Sequence, residues 1–464
     1  MTEQSQEKTG QPIVLKFGGT SVKDAQAMRR VVAIVERERG NHPVVVTSAC
    51  AGVTDLLLAT AQSCGAGDLH GALQRVHQLR QRHLEILHDL GLPAEHSCKT
   101  VLTTLLDEVE QLARGVVLLG ELTPRTLDAF ASYGERLSSQ LLGDAFRAAG
   151  WHTAVADSRQ FIITDANFVN ARPLMPQIDA AVAKRLVPLI QSHDVVVAQG
   201  FVGATLDGVT TTIGRGGSDH TGALVGAALH ATEIQIWTDV SGILTADPRA
   251  VPQAQVVPHV TFTEARELAW FGAKVIHPDT IVPAVERAIP VVIKNSIRPD
   301  DAGTRILPDG SPISPGIHSI TMKRGMLSVM VGPRDPRATS LGFQKALGVF
   351  AAHGLPIQCA AIAEARAIIT VEAAGFNDLI LAGLEANYVV ELMPEMAVIC
   401  MIGAGLRNQP GALGRPLAAL GEIPIGFVVA GSSDHIILLG VAEHHAAEAL
   451  QKTHHVLFEQ SRNK

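Results

Sequence analysis

A short apolar run that ends abruptly at two glycines sets the first constraint on this chain. Ile13 to Lys16 leads into Gly18-Gly19 and then a stretch from Lys23 to Arg39, which reads as a buried strand, a turn and a helix. Val44-Val-Val46 repeats the order, feeding the polar turn Thr47-Ser-Ala-Cys-Ala-Gly-Val-Thr54 and a further helix. Strand, polar turn and helix in succession is the pattern of a mainly parallel sheet in an α/β domain. From about Leu56 to Gly150 the pattern turns helical, with Leu127, Phe130, Leu137, Leu141 and Phe146 at spacings that keep one face apolar. Strands are predicted again at Val195-Val-Val197, Ile234-Gln-Ile236 and Val291-Val-Ile293.

A Pro-, Gly- and Asp-rich stretch from Arg298 to Pro315 predicts a boundary. Beyond it the chain repeats itself. Leu327–Val331 reads as a strand, Ala338–His353 as a helix, Leu355–Val371 as two strands and Phe376–Glu385 as a helix. The second copy runs through a strand at Ala397–Ile402, a helix at Gly411–Leu420, two strands in Ile423–Val441 and a helix at Ala446–Leu457. The expected domains are therefore 12–300, 316–390 and 395–464. A chain of 464 residues has room for about two to four domains.

Net charge of −7 and a pI near 6.2 give no reason to expect a nucleic acid or an anionic membrane as partner. Arg29-Arg30 then reads as a solvated helix face, and no apolar run reaches the length of a membrane span. Met1 to Gln11 is polar, lacks the apolar core of a secretory signal and reads as a disordered lead-in. Cys50, Cys64, Cys98, Cys359 and Cys400 form no C-x-x-C pair, which predicts free thiols and a cytoplasmic location. Among the nineteen histidines, His444-His445 and His454-His455 lack zinc spacing and are expected on solvated surface.

Three glycine-rich motifs carry the chemistry. Bare backbone lets N–H groups close on phosphate oxygens, and nearby cations neutralise their charge. In the first motif Lys16 and Phe17 end a strand and Gly18-Gly19 open the turn, where α/β sheets place ligands. The second, Gly214-Arg-Gly-Gly-Ser-Asp219, precedes a small-residue helix expected to begin at about His220. Arg215 can grip a carboxylate with two parallel hydrogen bonds, while Ser218 and Asp219 read as the N-cap of that helix. The third, Phe271-Gly-Ala-Lys-Val-Ile-His-Pro278, holds Lys274 and Val275. Between the last two, Trp237-Thr-Asp-Val-Ser-Gly-Ile-Leu-Thr-Ala-Asp-Pro-Arg249 leaves a strand as a nucleotide-binding loop would. There is no Gly-Lys dipeptide for a Walker loop and no G-x-G-x-x-G after a strand, so a phosphate site must be assembled from separated loops. Ser218, Asp219 and His220 are adjacent and point apart, which excludes a hydrolytic triad.

Together these motifs resemble the aspartate kinase family of the amino-acid kinase superfamily, over nearly the whole chain from Val14 to about Phe458. The resemblance implies an amino-acid-kinase-like three-layer sandwich followed by two α+β, ferredoxin-like ACT modules, with Gly431-Ser-Ser-Asp-His435 matching an element of the second. It implies ATP-dependent phosphorylation of the L-aspartate β-carboxylate, with Mg²⁺ bridging phosphates, as the entry step to lysine, threonine and methionine. Lys16 and Lys274 would offset phosphoryl charge, and Asp219 would orient them. Ser48, Thr54, Glu135, Arg215, Gly216, Gly217 and Ser218 match positions that hold aspartate. Lys16, Phe17, Gly18, Gly19, Thr238, Asp239, Leu244, Arg249, Lys274 and Val275 match positions around the nucleotide. Leu244 stands where many relatives carry an aromatic residue. In Leu355-Pro-Ile-Gln-Cys-Ala-Ala-Ile-Ala-Glu364, Gln358, Ile362 and Ala363 replace most groups that bind lysine in lysine-inhibited relatives, leaving Glu364. An apolar strand cannot satisfy an ammonium and a carboxylate, so weak or absent lysine inhibition, or a different effector, is expected. The residues also leave open a kinase of another small carboxylic acid, and a catalytically silent amino-acid sensor. ACT-like units complete their sheets by pairing, so a homo-oligomer is expected.

Overall fold

The computed structural model describes residues 11–93, 96–272, 278–334, 343–363 and 366–459. The expected lead-in before residue 11, Lys274, Val275, Glu364 and the start of the helix drawn from Ala338 lie outside them. Two compact units divide the chain, Met1–Ile243 with Val275–Gly310 and Leu244–Lys274 with Ser311–Lys464. The division after Gly310 lies within the Arg298–Pro315 stretch read as a boundary, but residues 244–272 also join the C-terminal unit, where Ala246 and Val251 share a core with Ile399 and Met401.

Short β-branched runs build the first unit. Val14–Phe17, Val44–Thr47 and Val195–Gln199 are buried along their whole length, as strands covered on both faces must be. Seven strands of this unit lie in the spatial order Thr153–Ala156, Val195–Gln199, Val44–Thr47, Val14–Phe17, Ile234–Thr238, Val291–Asn295 and Thr304–Leu307. All neighbours pair in parallel except the last two. On one face Leu15, Phe17 and Val45 pack against helices Ala25–Val35, Val53–Gly65 and Pro124–Ala148. Arg29 is exposed, as expected of a solvated helix face. The five cysteines are free.

In the second unit, six antiparallel strands run in the order Ile357–Ile362, Ala367–Glu372, Gly316–Pro333, Tyr388–Ala404, Ile436–Ala442 and Ile425–Ala430. The short strands read at 327–331 and 397–402 are pieces of two long ones. These pair along their length, Thr321 opposite Cys400 at one end and Val329 opposite Leu392 at the other, so both repeats share one sheet. The matching helices are Gln344–Ala352 and Asp378–Glu385 in the first repeat, Gly414–Leu420 and Ala446–His454 in the second.

His454 corrects the solvated reading of its cluster. It is 0% exposed, with Nε2 2.9 Å from Thr245 Oγ1 and Nδ1 2.9 Å from Glu459 Oε1, while His455 is exposed. A second buried pair lies in the same unit. Glu264 closes a capping box with Thr261 at the start of helix Phe262–Trp270 and lies 2.6 Å from His318 Nδ1. Burial works against charge on both groups, but each outweighs it for the other: His318 is held above its usual range and Glu264 below. The His318 contribution is then complete below its unfolded pKa near 6.5 and is lost as pH rises through the folded value. That of Glu264 is complete above its unfolded pKa and is lost as pH falls through its folded one. Accordingly, His318→Gln is expected to lower the unfolding temperature by ~3–6 °C at pH 6 and by less at pH 9. Calorimetry at both pH values checks it, and an equal loss at each would remove the ion pair as the cause.

Candidate active site

A cavity of about 810 Å³ opens at the carboxyl ends of the parallel strands Val14–Phe17, Val44–Thr47 and Val195–Gln199, where an α/β sheet presents its ligand site. The alternation of a strand turns Leu15 and Phe17 into the core and leaves Lys16 on the opposite face, 7% exposed. Helix Gly217–Leu229 lies over that face. A Cβ on Gly222 would come within 3.3 Å of Lys16 Cβ, and one on Gly226 within 2.5 Å of the Ile234 side chain. Two glycines one turn apart therefore press the helix onto the sheet. Asp219, three residues before Gly222, is brought down beside the strand, and its Oδ1 lies 2.6 Å from Lys16 Nζ.

The helix starts earlier than the sequence suggested. Gly216, in the left-handed region at φ 72°, is the N-cap, so Ser218 and Asp219 belong to the first turn and are not its caps. Gly217 lies so close to Phe201 that a Cβ would stand 2.6 Å from its ring. Gly19 packs on the neighbouring turn in the same way, where a Cβ would meet the Ala49 carbonyl at 2.8 Å.

Lys16, Gly19 and Asp219 line the cavity. Ser48 and Thr54, from the turn after the second strand, line it with Arg215, Gly216, Gly217 and Ser218. Glu135 reaches it from helix Pro124–Ala148 and is not a helix-surface residue, being 3% exposed. Burial pushes its carboxyl up to about 8, against the pull of the Ala49 amide and the Lys16 charge. Glu135 Oε2 is buried with no hydrogen-bond partner among the described residues. Arg215 is exposed and carries no ion pair among the described residues. The cavity is thus lined by a cation–carboxylate pair, a buried carboxyl and a guanidinium with no ion pair among the described residues.

Other expected residues are placed differently. The Phe17 side chain is fully buried and stacks on Trp237, ring centroids 5.8 Å apart, so only its backbone faces the strand end. Thr238 ends the adjacent strand and Asp239 follows it, where the Gly18 amide donates to the Trp237 carbonyl at 3.1 Å. Leu244 and Arg249 belong to the second unit, and the Arg249 guanidinium, 83% exposed, pairs with Asp247 at 2.6 Å. Lys274 and Val275 are outside the described residues.

Some residues at the site were missed by sequence reasoning. Ser21 Oγ donates to Ser296 Oγ at 2.7 Å, and Ser296 Oγ to the Thr238 carbonyl at 3.1 Å, tying the Gly18-Gly19 turn to the Thr238 loop. Asp128 and Phe201 line the cavity as well. Asp128 had a signal: Asp128, Ser132 and Glu135 recur at helical spacing and form a polar stripe on a helix otherwise read for its apolar face.

The amino acid kinase family matches residues 11–295, and the ACT domain matches residues 399–457. Lysine-sensitive aspartokinase 3 of Escherichia coli K12 is 31% identical over 460 residues, covering 96% of this chain and 99% of the relative. The chloroplastic aspartokinase 1 of Arabidopsis thaliana is 33% identical over 404 residues, 85% of this chain and 69% of the relative. The crystal structure of E. coli aspartokinase III with aspartate and ADP superposes with a TM-score of 0.78 at 32% identity, covering 97% of this chain and all (100%) of that one. The same enzyme has been solved with lysine and aspartate. An aspartate kinase of Clostridium acetobutylicum, 24% identical with a TM-score of 0.81, shares the fold. By its two domain matches and its identity to whole aspartokinases, the chain belongs to the aspartokinase family of amino acid kinases.

Proposed function

We propose that the chain transfers the γ-phosphoryl group of ATP to the β-carboxylate of L-aspartate. A β-carboxylate oxygen forms the new bond to γ-phosphorus as the bond to the β,γ-bridging oxygen breaks, giving 4-phospho-L-aspartate and ADP. The observation that carries this reading is the Lys16–Asp219 pair facing the same cavity as Glu135 and Arg215. A carboxylate nucleophile is already ionised at neutral pH, so the site needs no general base, and alignment and charge neutralisation suffice. Lys16 would stabilise charge on the moving phosphoryl group, with Asp219 fixing the ammonium. Arg215 would take a substrate carboxylate in a fork of two hydrogen bonds, and Glu135 its ammonium. Gly18, Gly19, Thr238 and Asp239 would flank the nucleotide. The carboxylates of Asp55 and Asp219 line the cavity and would hold Mg²⁺ brought in with the nucleotide, which would neutralise phosphate charge there.

Lysine is a separate matter. In the strand Ile357–Ile362, the Gln358 Oε1 already accepts from Lys323 Nζ at 3.1 Å, and that ammonium pairs with Glu372 at 2.7 Å. A second ammonium there would meet like charge, which supports weak lysine inhibition. A homo-oligomer formed through the six-stranded sheet belongs to the same proposal: its edge strands expose Ile362, Ile425 and Val428.

One assay tests the reading. Initial rates of ADP release with Mg-ATP should depend on aspartate and saturate. They should stay within about twofold in 1 mM lysine, where an inhibitor with millimolar affinity or better would at least halve them. ADP release dependent on another small acid, with none on aspartate, would overturn the substrate. Half-inhibition by sub-millimolar lysine would overturn the effector reading alone.

A further inference from the structure

We infer that Asp128 is a positioning residue for the aspartate half of the site, its carboxylate pinning the turn that carries Arg215 to the helix that carries Glu135. This rests on the reading that Arg215 and Glu135 hold the substrate.

Asp128 is 1% exposed in the first turns of helix Pro124–Ala148. A carboxylate this buried is stable only when its oxygens are hydrogen-bonded. Here both oxygens lie 3.0 Å from the Val169 N–H, Oδ2 accepts from the Thr212 N–H at 3.0 Å, and Oδ1 from Thr212 Oγ1 at 2.6 Å. One side chain therefore gathers two segments far from it in sequence.

Both segments lead to Arg215. Thr212 ends the hairpin strand Thr210–Thr212, two residues before Gly214. Val169 is β-branched yet sits at φ 72°, a conformation that persists only where the surroundings enforce it. Holding Val169 there sets Asn170 against Gly214, where a Cβ would stand 2.5 Å from Asn170 Oδ1. The turn is thus fixed from its strand and from its flank. This matters because Arg215 has no ion-pair partner among the described residues, so its backbone sets its aim. Glu135 lies two turns along from Asp128 on the same helix. The distance between the groups for the substrate's ammonium and carboxylate is then set by the helix and this one pin.

The test varies aspartate at saturating Mg-ATP, and Mg-ATP at saturating aspartate, for wild type, Asp128→Asn, Thr212→Val and the double variant. Asparagine keeps the size but turns an amide N–H toward a backbone N–H; valine removes only the Thr212 hydroxyl bond. The aspartate KM is expected to rise about tenfold or more in Asp128→Asn and about threefold in Thr212→Val, the double variant falling short of the product of the two. The ATP KM should stay within about twofold, as a local effect requires. Aspartate KM values unmoved in both variants, or both KM values rising by one factor, would overturn the inference. If Asp128→Asn does not fold, Thr212→Val decides alone. Wild type without aspartate-dependent ADP release would sink the functional reading, whereas saturable wild type with unmoved variants would sink only the positioning role.

Discussion

Lys16→Ala is expected to lower kcat by about a thousandfold or more while the protein remains folded. Removing a single group that stabilises transition-state charge typically costs about 10²–10³ in kcat, and a buried full charge is at the upper end. The proposed function gives Lys16 this role: its side chain is 9% exposed and its ammonium is held 2.6 Å from Asp219. The loss should appear in kcat more than in either KM, because the charge it offsets grows as the phosphoryl group moves. Removing the ammonium also leaves Asp219 with little water and no cation, so a loss of about 1–3 kcal/mol in stability should accompany it. Asp219→Ala should fall by a similar factor, since its carboxylate holds the same ammonium at 2.6 Å. The double variant should be hardly worse than either alone, as for groups that act as one unit. Steady-state kinetics with circular dichroism as the control for folding checks this. Lys16→Ala retaining a tenth of wild-type kcat would remove the lysine from the chemistry.

How far the sequence reaches is set by the range of the interactions. Lys16, Gly19 and the Gly214–Asp219 turn were readable because strand periodicity and glycine placement are local signals, whereas Ser48, Thr54 and Glu135 came only from the family resemblance. The pairing of Lys16 with Asp219 was not readable from either motif alone. It depends on the Gly222 and Gly226 contacts, which bring a helix down on a strand two hundred residues earlier in the chain. The polar stripe hinted at Asp128, but its role was hidden for the same reason, its partner Thr212 being 84 residues away. His454 misled because its helical, polar neighbours suggested solvent, and its burial comes from Thr245 across a separation of 209 residues. The two long strands of the second unit were read as short ones because each crosses register shifts, at Lys323/Met326 and at Met326/Ser328, that break the two-residue alternation.

Glu135 carries the second large effect, and its burial gives that effect a pH dependence. With its carboxyl pushed up to about 8, Glu135 is mostly protonated at pH 7, ionised in roughly a tenth of molecules. If it receives the substrate ammonium, only that ionised fraction binds productively. The value of kcat/KM for aspartate should then rise about tenfold per pH unit up to pH 8 and level off above it, while kcat changes less. Stability should run the other way. A carboxyl whose folded pKa lies above its unfolded one stabilises the protein while protonated, so this contribution declines as pH rises from about 4.5 through 8. Glu135→Gln should abolish the pH slope and make the protein more resistant to unfolding at pH 9. Glu135→Ala should raise the aspartate KM by a hundredfold or more, since removing one member of a buried ion pair costs about 3–5 kcal/mol. The same substitution should leave the ATP KM nearly unchanged. A wild-type profile that is flat from pH 6.5 to 8.5 would break the link between this buried carboxyl and the substrate's ammonium, and would leave Arg215 as the main anchor for aspartate.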